Sequence, residues 1–400
     1  MDTDTLRALR EPAGRALLTE LAGYDPADEL RLATRLRRDH PAELVGAALT
    51  QARLRQRGAA KFGPDSARMW FTPAGLEQST RREVAAHRAR RYAEADVGLV
   101  ADLCCGIGGD LVAMARTGLD VVGMDLDPLT AEVARANIEE TAETGVWAEV
   151  QLGDVTAADL TGFSAAFCDP ARRSARGRTF DPKAYSPPWD FLLALAERVP
   201  ATGVKVAPGI DHALVPATAE AEWVSWAGGL KEAALWFGPL ASAGASRRAT
   251  LLPSGHTLTE VDLEPAGVGP VRRYLYEPDP AVIRAGLVGH VATEVDGVLL
   301  DPAIAYVTSD RRVETAFATR FEINEVLPFQ LKRVRALLRD RGIGRLEIKK
   351  RGFAVEPEQL RRQLRLTGEF GRAAGVLFLT RIGTDPVALL GRRDGAEVER

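Results

Sequence analysis

Cysteine, histidine and long apolar runs are scarce in this chain of 400 residues. The three cysteines, Cys104, Cys105 and Cys168, include an adjacent pair that is not a sensible disulfide, and with five histidines no zinc-ligand spacing appears. This usage predicts a reducing compartment and no bound metal. No window approaches about 18 uninterrupted apolar residues, and the charged N-terminus lacks the apolar core of a signal peptide. We therefore expect a cytoplasmic protein with no membrane partner.

An excess of charge of one sign is also lacking, because 52 Lys and Arg residues oppose 55 Asp and Glu residues and leave a formal net charge of -3. This balance excludes a uniformly basic nucleic-acid binder, so any contact with nucleic acid must come from a local patch. A chain of this length exceeds the usual size of a single hydrophobic core, which predicts two or three domains.

Three regions differ in the periodicity of their apolar residues. Residues 1–95 show helical spacing and predict an all-helical N-terminal region. Residues 96–255 alternate short β-rich runs with helical stretches, which predicts a mostly parallel sheet with helices on both faces, closed by an antiparallel pair near its edge. Residues 256–400 mix Pro and Gly turns with helices, a strand and a final hairpin, and predict a small α+β domain. The expected fold class is α/β.

The stretch VADLCCGIGGD, which begins at Val100, predicts a strand, a glycine turn and a helix. Dinucleotide-dependent oxidoreductases and S-adenosylmethionine-dependent methyltransferases both use this arrangement. The dinucleotide fingerprint needs a third small residue after Gly106 and Gly108, and Leu111 stands there instead. The dinucleotide interpretation therefore fails at that position.

Acidic residues at the ends of three successive strands favour the methyltransferase interpretation. Asp102 precedes the glycine turn, Asp125 ends the next strand in GMDLDP, and Asp154 ends the third in LGDVT. S-adenosylmethionine has no phosphate, so a carboxylate in the turn suits its cationic amino group, and Asp125 can accept hydrogen bonds from both ribose hydroxyls. Asp154 stands where an adenine ring would lie. These carboxylates predict S-adenosylmethionine as the cofactor.

The motifs VADLCCGIGGD, GMDLDP, LGDVT and FCDPARR follow in order those of class I, Rossmann-like S-adenosylmethionine-dependent methyltransferases, which this sequence resembles. The stretch GLEQSTRREVAAHRA and the C-terminal LPFQLKRVRALL and RLEIKKRG are similar to bacterial methyltransferases with a C-terminal THUMP-like domain. The resemblance implies a seven-stranded methyltransferase sheet at residues 96–255 and a THUMP-like domain at residues 256–400. The sequence departs from the pattern at Cys104, where the family commonly has its first glycine.

The resemblance also implies which residues contact the cofactor. In related methyltransferases the segment before the first strand lies over the methionine end of the cofactor, which adds Gln78 and Thr80. The alternative is that Ser79 or Thr80 caps the following helix, with Glu83 completing a capping box. The predicted cofactor-binding residues are Gln78, Thr80, Asp102, Cys104, Gly106, Gly108, Asp125, Leu126, Asp154 and Val155.

The reaction centre is predicted in CDPARRSARGR, after the fourth strand at the carboxyl edge of the sheet. Methyltransferases that act on exocyclic amino groups of adenine or guanine carry D/N/S-P-P-aromatic there. Asp169 and Pro170 match this motif, whereas Ala171 and Arg172 replace the second proline and the aromatic residue. We predict Asp169, Pro170 and Arg172 as catalytic residues, with Asp169 orienting an exocyclic amine and the guanidinium of Arg172 replacing the stacking ring. The alternative is an Asp-Pro turn that ends the strand.

Two groups of basic residues predict contact with RNA. Arg173 and Arg176 follow the reaction centre, where a solvated surface loop is the alternative. Residues 328–372 hold thirteen Lys or Arg residues and only five Asp or Glu residues, an asymmetry that points to an anionic partner. The densest part of this segment is Lys349, Lys350 and Arg351.

The sequence therefore predicts an S-adenosylmethionine-dependent methyltransferase that methylates a base nitrogen in RNA, either tRNA or ribosomal RNA. A second interpretation is a methyltransferase for a small molecule or a protein, with the C-terminal domain closing a pocket. A third is an RNA-binding protein with a catalytically silent methyltransferase domain, because the aromatic residue after Asp-Pro is missing. The cysteines near the predicted site invite a catalytic thiol, but they fit better as small buried apolar side chains.

Overall fold

The computed structural model of the protein describes residues 1–141, 145–171, 185–260, 265–364 and 373–394, with the backbone of residues 173–174 and 177–178. The chain divides into two compact units, of which the first comprises Met1–Glu222 and Glu232–Ser246 and the second comprises Trp223–Lys231 and Arg247–Arg400. The first unit thus contains the helical N-terminal region together with most of the parallel sheet. The domain boundaries expected after residues 95 and 255 stay predictions.

Helices fill the N-terminal region, as the apolar spacing of residues 1–95 predicts. The side chain of Asp2 accepts a hydrogen bond from the backbone N of Thr5 and begins the first helix, and prolines occupy the opening turn of the second and fifth. The helices are α1 (Thr3–Arg10), α2 (Pro12–Glu20), α3 (Glu29–Leu36), α4 (Ala42–Phe62), α5 (Pro73–Gln78) and α6 (Arg82–Glu94).

Strands and helices then alternate, as the β-rich runs predict. The strands β1 and β4 are buried along their whole length, which explains their apolar sequences. The elements are β1 (Val100–Leu103), α7 (Gly109–Ala115), β2 (Val121–Asp125), α8 (Pro128–Thr141), β3 (Ala148–Leu152), β4 (Ala165–Cys168), β5 (Arg173–Ser174), β6 (Gly177–Arg178), α9 (Trp189–Arg198), β7 (Ala201–Val206), β8 (Ala219–Trp226), β9 (Gly229–Phe237), β10 (Arg247–Leu252) and β11 (His256–Thr259).

Nine of these strands form one sheet in the order β11-β10-β8-β9-β7-β4-β1-β2-β3. The strands from β7 to β3 pair in parallel, and β9 pairs antiparallel with β7. The seven strands from β8 to β3 are the expected Rossmann-like methyltransferase sheet, and β10 and β11 lengthen it by two. Because parallel strands end at the same edge of a sheet, the turns after β1, β2 and β4 lie close together.

The N-terminal helices pack on α8. Leu6 of α1 and Val133 of α8 belong to one apolar core, which includes buried residues from α2, α3 and α4. An ion pair between Arg10 and Glu139 lies at the exposed rim of the same contact. The helical region is therefore built onto the sheet unit through apolar burial and shares its core with α8.

Asn137 of α8 makes a buried polar contact between the N-terminal region and the sheet unit. Its side chain is fully buried, its Nδ2 donates to the carbonyl oxygens of Trp70 at 3.0 Å and Ile107 at 2.8 Å, and its Oδ1 accepts from the backbone N of Trp70 at 2.7 Å. One amide thereby satisfies three backbone groups that water cannot reach.

The second unit is built around its own sheet, in the order β13-β14-β12-β15-β18-β17-β16. The strand β16 pairs in parallel with β17, and β17 pairs antiparallel with β18. Leu377 of β17 packs with the helices on one face, and the next residue, Phe378, packs with Phe321 on the other. The elements are β12 (Tyr274–Pro278), α10 (Pro280–Arg284), α11 (Val288–Glu294), β13 (Val298–Asp301), β14 (Ile304–Ser309), β15 (Ala318–Pro328), α12 (Leu331–Asp340), β16 (Ile343–Lys350), α13 (Pro357–Leu364), β17 (Ala373–Ile382) and β18 (Asp385–Arg393).

The C-terminal pattern of helix, strand, helix and hairpin thus lies where the sequence predicts it. Within the part of the chain that the structure describes, no helix is both long enough and apolar enough to cross a membrane.

Replacing Asn137 by Ala is expected to lower the free energy of unfolding of the first unit by about 2 to 3 kcal/mol, because three buried backbone groups lose their partner. Urea unfolding followed by tryptophan fluorescence measures this change. Asn324→Ala is the matched control, since Asn324 is exposed on β15, and it should cost less than about 1 kcal/mol. Equal losses in the two variants would contradict the role assigned to Asn137.

Candidate cofactor and active site

The turn from β1 to α7 is tight because three of its residues adopt left-handed backbone conformations. Gly106 has φ 57° and Gly108 has φ 81°, values that glycine adopts without steric cost. Cys104 has φ 62°, which is uncommon for a residue with a side chain. The backbone at Cys104 therefore adopts the conformation that the turn requires, although the residue is not a glycine. Cys104 is strained at a position where the family commonly has a glycine.

A cavity of about 640 Å³ opens above this turn. Its volume is in the range of pockets that hold a nucleoside-sized ligand. The structure brings eight of the predicted site residues together in its wall, and they come from the segment before α6, the ends of β1, β2 and β4, and the glycine turn. These residues are Gln78, Thr80, Asp102, Cys104, Gly106, Asp125, Asp169 and Pro170.

Four predicted cofactor residues are not part of this wall. Leu126 is 70% exposed beside Asp125, and Gly108 serves as the N-cap of α7. Asp154 is exposed and its Oδ1 accepts a hydrogen bond from the backbone N of Thr156 at 2.9 Å, so it caps a short turn. Val155 is buried behind it. Contact of these four residues with the cofactor stays a prediction.

The side chains of the predicted catalytic residue Arg172 and of the predicted substrate residues Arg173 and Arg176 lie outside the described residues. The other predicted substrate residues, Lys349, Lys350 and Arg351, are described. Lys349 lies 2.7 Å from a carboxylate oxygen of Glu277, and Arg351 lies 3.5 Å from the other oxygen of the same side chain.

Lys350 pairs with Glu356 in the same unit. All three basic residues at the end of β16 therefore have acidic partners, which reduces the positive field that their sequence suggested. Contact of these three residues with RNA stays a prediction.

Asp102 is a buried carboxyl group in the cavity wall with a raised pKa. It is 1% exposed, and within the described residues its Oδ2 has no hydrogen-bond partner. Burial raises the pKa of the Asp102 carboxyl well above its usual range; Asp110 raises it further, and Arg88 opposes the shift. An unpaired buried carboxyl oxygen is a fitting partner for a cationic amino group such as that of S-adenosylmethionine.

Asp125 ends β2 on the same wall. Its Oδ2 accepts from the backbone N of Gly106 at 3.0 Å, and its Oδ1 accepts from the backbone N of Asp127 at 3.0 Å. Burial raises the pKa of Asp125, and these backbone hydrogen bonds oppose the rise. The carboxylate is thereby oriented toward the turn with lone pairs left for hydroxyl donors, which fits the ribose of S-adenosylmethionine.

Lys205 of β7 is a site residue that the sequence interpretation missed. Its ammonium is buried and donates to the Oδ2 of Asp169 at 2.7 Å and to the Oγ1 of Thr80 at 2.9 Å, while the Oε2 of Glu232 lies 3.9 Å away. A lone lysine within the apolar strand GVKVAP was the available signal, because a buried ammonium needs a partner.

The Lys205 contact contradicts the alternative of a capping box at Thr80. The N-cap of α6 is Arg81, whose side chain makes no capping hydrogen bond, whereas the hydroxyl of Thr80 accepts from Lys205. The buried cation takes this hydroxyl oxygen as an acceptor, so the helix begins without a side-chain cap. Thr80 is instead tied to the wall that holds Asp169.

Arg88 of α6 supports the same wall from behind. Its fully buried guanidinium pairs with Asp110 of α7 and Glu232 of β9, and it lies over the ring of Phe167 with the Cζ 4.2 Å from the ring centroid. The coulombic attraction of these carboxylates outweighs burial and raises the pKa of Arg88. The residues around the cavity include more carboxyl groups than cations, which suits a positively charged ligand.

Cys105 and Cys168 do not support a thiol nucleophile. Cys105 and Cys168 are buried, and the pKa of each thiol is raised well above its usual range, by burial at Cys105 and chiefly by a hydrogen bond with Cys104 at Cys168. A catalytic cysteine needs the thiolate, which these surroundings disfavour. Among the described residues, no group of three or more His, Cys, Asp or Glu side chains is placed to hold a metal ion.

Known proteins place this fold and cavity in context. A family described as THUMP domain-like matches residues 318–393, and one described as a domain of unknown function (DUF8688) matches residues 2–58. Two proteins named uncharacterized S-adenosylmethionine-dependent methyltransferases, from two strains of Mycobacterium tuberculosis, are each 38% identical to the chain over 338 residues, which cover 82% of this chain and 91% of each relative. This chain belongs to the S-adenosylmethionine-dependent methyltransferases.

The fold of this methyltransferase is also found in a crystal structure of a candidate methyltransferase from Porphyromonas gingivalis W83. The two chains are 21% identical and superpose with a TM-score of 0.72, covering 93% of this chain and 99% of the other. The methyltransferase uses S-adenosylmethionine as its cofactor, as the strand-end carboxylates predict.

Binding of S-adenosylmethionine is expected to strengthen as pH rises above the ordinary range of carboxyl titration, because the cofactor's ammonium needs the ionised form of Asp102, whose pKa is raised. Binding should release a proton, so calorimetry in buffers of different ionisation enthalpy will give different apparent enthalpies.

The stability of the free protein should depend on pH in the opposite direction. Its unfolded state loses the Asp102 proton near the ordinary pKa of 3.8, so the contribution of this group to stability falls as pH rises above that value.

Asp102→Asn should bind the cofactor weakly and without this pH dependence. Asp159→Asn is the control, since Asp159 is an exposed carboxylate outside the cavity wall and should leave both affinity and proton release unchanged. Unaltered proton release in Asp102→Asn would contradict the role assigned to Asp102.

Proposed function

We propose that this methyltransferase transfers the methyl group of S-adenosylmethionine to a base nitrogen in RNA, with the cavity above the β1–α7 turn as its active site. The observation that carries the proposal is the position of Asp169. Its carboxyl group is a quarter exposed in the wall of the same cavity as Asp102 and Asp125, and Lys205 holds one of its oxygens. The residue proposed to orient the methyl acceptor and the residues proposed to bind the cofactor thus line the same cavity.

The chain's own groups would act mainly by positioning. When bound, S-adenosylmethionine supplies an electrophilic methyl group. Asp169 can accept a hydrogen bond from an amino nitrogen and orient its lone pair, and the backbone carbonyl of Pro170 can serve as a further acceptor. Fixing a nucleophile in this way supplies much of the rate in reactions that need no strong base. Roles are also proposed for Arg172, Arg173 and Arg176, whose side chains lie outside the part of the chain that the structure describes.

Two observations support RNA as the substrate. The first is the match of residues 318–393 to a THUMP domain-like family. The second is α12, where Lys332 and Arg333 are exposed and form no ion pair with a described residue. These two cations keep their charge available to phosphates, whereas the three basic residues ending β16 are paired with glutamates. We therefore propose α12 as the RNA contact of this unit.

Methyl transfer from labelled S-adenosylmethionine to total RNA, taken from a strain without this gene, tests the reaction. Asp169→Ala should lower transfer at least about 100-fold, because the acceptor loses its orienting group, while cofactor binding persists. Asp169→Asn keeps an acceptor for Lys205 and separates loss of function from loss of folding. Asp159→Ala is the control and should transfer at the wild-type rate.

Label in RNA that depends on Asp169 would support the proposal. If the cofactor binds and no RNA is labelled, the RNA proposal is wrong, and either the acceptor is a small molecule or a protein or the methyltransferase domain is catalytically silent.

The role of α12 in RNA binding is tested by the salt dependence of that binding. Lys332→Glu combined with Arg333→Glu should weaken binding and lower the slope of log affinity against log salt by about 0.7 to 0.9 for each phosphate that the helix no longer neutralises. Filter binding of labelled total RNA measures both quantities. Arg37→Glu with Arg38→Glu, two exposed arginines after α3, is the matched control and should behave as wild type. An unchanged slope in the α12 variant would contradict this role.

A further inference from the structure

Residues 72–80, which we name the strap, supply seven residues to the wall of the cavity: Thr72, Ala74, Gly75, Glu77, Gln78, Ser79 and Thr80. The strap packs directly on the glycine turn. A Cβ on Gly75 would lie 2.2 Å from the Cγ2 of Ile107, closer than any two such atoms can approach. The position of the strap therefore sets how wide the cavity is.

The strap has few internal means of holding its shape. Its helix, α5, is only six residues long, and helices of that length are not stable by themselves. Its conformation must therefore depend on contacts from outside, and the structure shows two sets of them.

The first set comes from Lys61, near the end of α4. Its Nζ donates to the carbonyl oxygens of Leu76 at 2.7 Å, Glu77 at 2.8 Å and Ser79 at 2.9 Å. All three donors of the ammonium are thus directed at carbonyls at the end of α5, where a helix leaves such groups unpaired and carries partial negative charge. Lys61 itself is not part of the cavity wall.

The second set fixes the two residues that lead into the strap. The Nε2 of Gln51 donates to the carbonyl oxygen of Phe71 at 2.6 Å, and its Oε1 accepts from the backbone N of Phe71 at 3.1 Å. Asn137 makes the same two-point contact with the preceding residue, Trp70, and also holds the carbonyl of Ile107 in the glycine turn. Two buried amides, one on α4 and one on α8, therefore hold the entry to the strap in place.

We propose that the N-terminal helical region is part of the cofactor-binding apparatus, because α4 positions the strap through Lys61 and Gln51. This inference rests on the proposed location of the cofactor site. It assigns a function to the region that includes residues 2–58, namely to hold one wall of the S-adenosylmethionine cavity. Lys61 and Gln51 are positioning residues, since they act on the cofactor only through the strap.

The test is calorimetric titration of the full chain with S-adenosylmethionine and with S-adenosylhomocysteine. Lys61→Met keeps the length of the side chain and removes its donors, and it should weaken both ligands about tenfold or more and by the same factor. Lys61→Arg retains charge and donors and should recover part of the affinity. Lys231→Met is the matched control, because Lys231 is exposed on β9 and outside the cavity wall.

Thermal unfolding of each variant separates positioning from folding. The titrations are run at a temperature where every variant is folded, so that a general loss of stability does not change the affinity. Gln51→Met is the second variant if Lys61→Met does not fold, and it should weaken both ligands by several-fold. A folded Lys61→Met or Gln51→Met with wild-type affinity for both ligands would overturn the inference.

A different result is expected if the cavity is not the cofactor site. If Asp125→Ala binds both ligands as tightly as wild type, the cavity is not the cofactor site and the proposed function fails with it. If Asp125→Ala loses binding while the Lys61 and Gln51 variants keep it, the site stands and only the role of the N-terminal region is wrong.

Discussion

The burial of two cations, Arg88 and Lys205, is the constraint on which the first unit depends. A charged side chain removed from water costs several kcal/mol unless carboxylates and hydrogen-bond acceptors surround it in good geometry. Arg88 meets this need with Asp110 and Glu232, and Lys205 meets it with Asp169 and Thr80. These partners lie on different elements, so the pairing leaves α6, α7, β4, β7 and β9 little freedom to shift against one another.

The same pairing shapes the candidate site. Asp169 is held by an ammonium on the neighbouring strand, so its carboxyl group faces the cavity in one orientation. The hydroxyl oxygen of Thr80 accepts a hydrogen bond from the same ammonium, which ties the end of the strap to Asp169. Through Lys205 and Glu232 these residues belong to one connected polar network that also includes Arg88. Burying these two cations costs free energy, but the contacts that they require fix the positions of Asp169 and Thr80 in the candidate site.

In the second unit the basic residues that end β16 are paired near the surface and are not buried like Arg88 and Lys205. Its basic residues are numerous, yet Lys349 and Arg351 share Glu277, and Lys350 pairs with Glu356. Pairing of this kind is worth little to stability at a surface, but it cancels the local field. Exposed basic residues without a described ion-pair partner are instead found on α12. There Lys332 and Arg333 are exposed, and the next residue, Val334, is buried. A count of charges along the chain could not show this, because it carries no information about partners.

The sequence by itself determined the helical N-terminal region, the parallel sheet with its antiparallel edge, the C-terminal α+β elements and the class of cofactor. Each of these depends on local periodicity or on a motif read within a few residues, such as the run from Asp102 to Gly108. Eight predicted residues, Asp102, Asp125 and Asp169 among them, meet in one cavity, because strand ends of a parallel sheet converge.

Only the tertiary structure decided the rest. Thr80 accepts from Lys205, which is 125 residues away in the chain, and Trp70 meets Asn137 across 67 residues. Such partners are chosen by which elements pack together, and no local pattern records that choice. The basic residues ending β16 differ from those on α12 for the same reason, since a charge is free or cancelled according to the neighbours that folding brings to it.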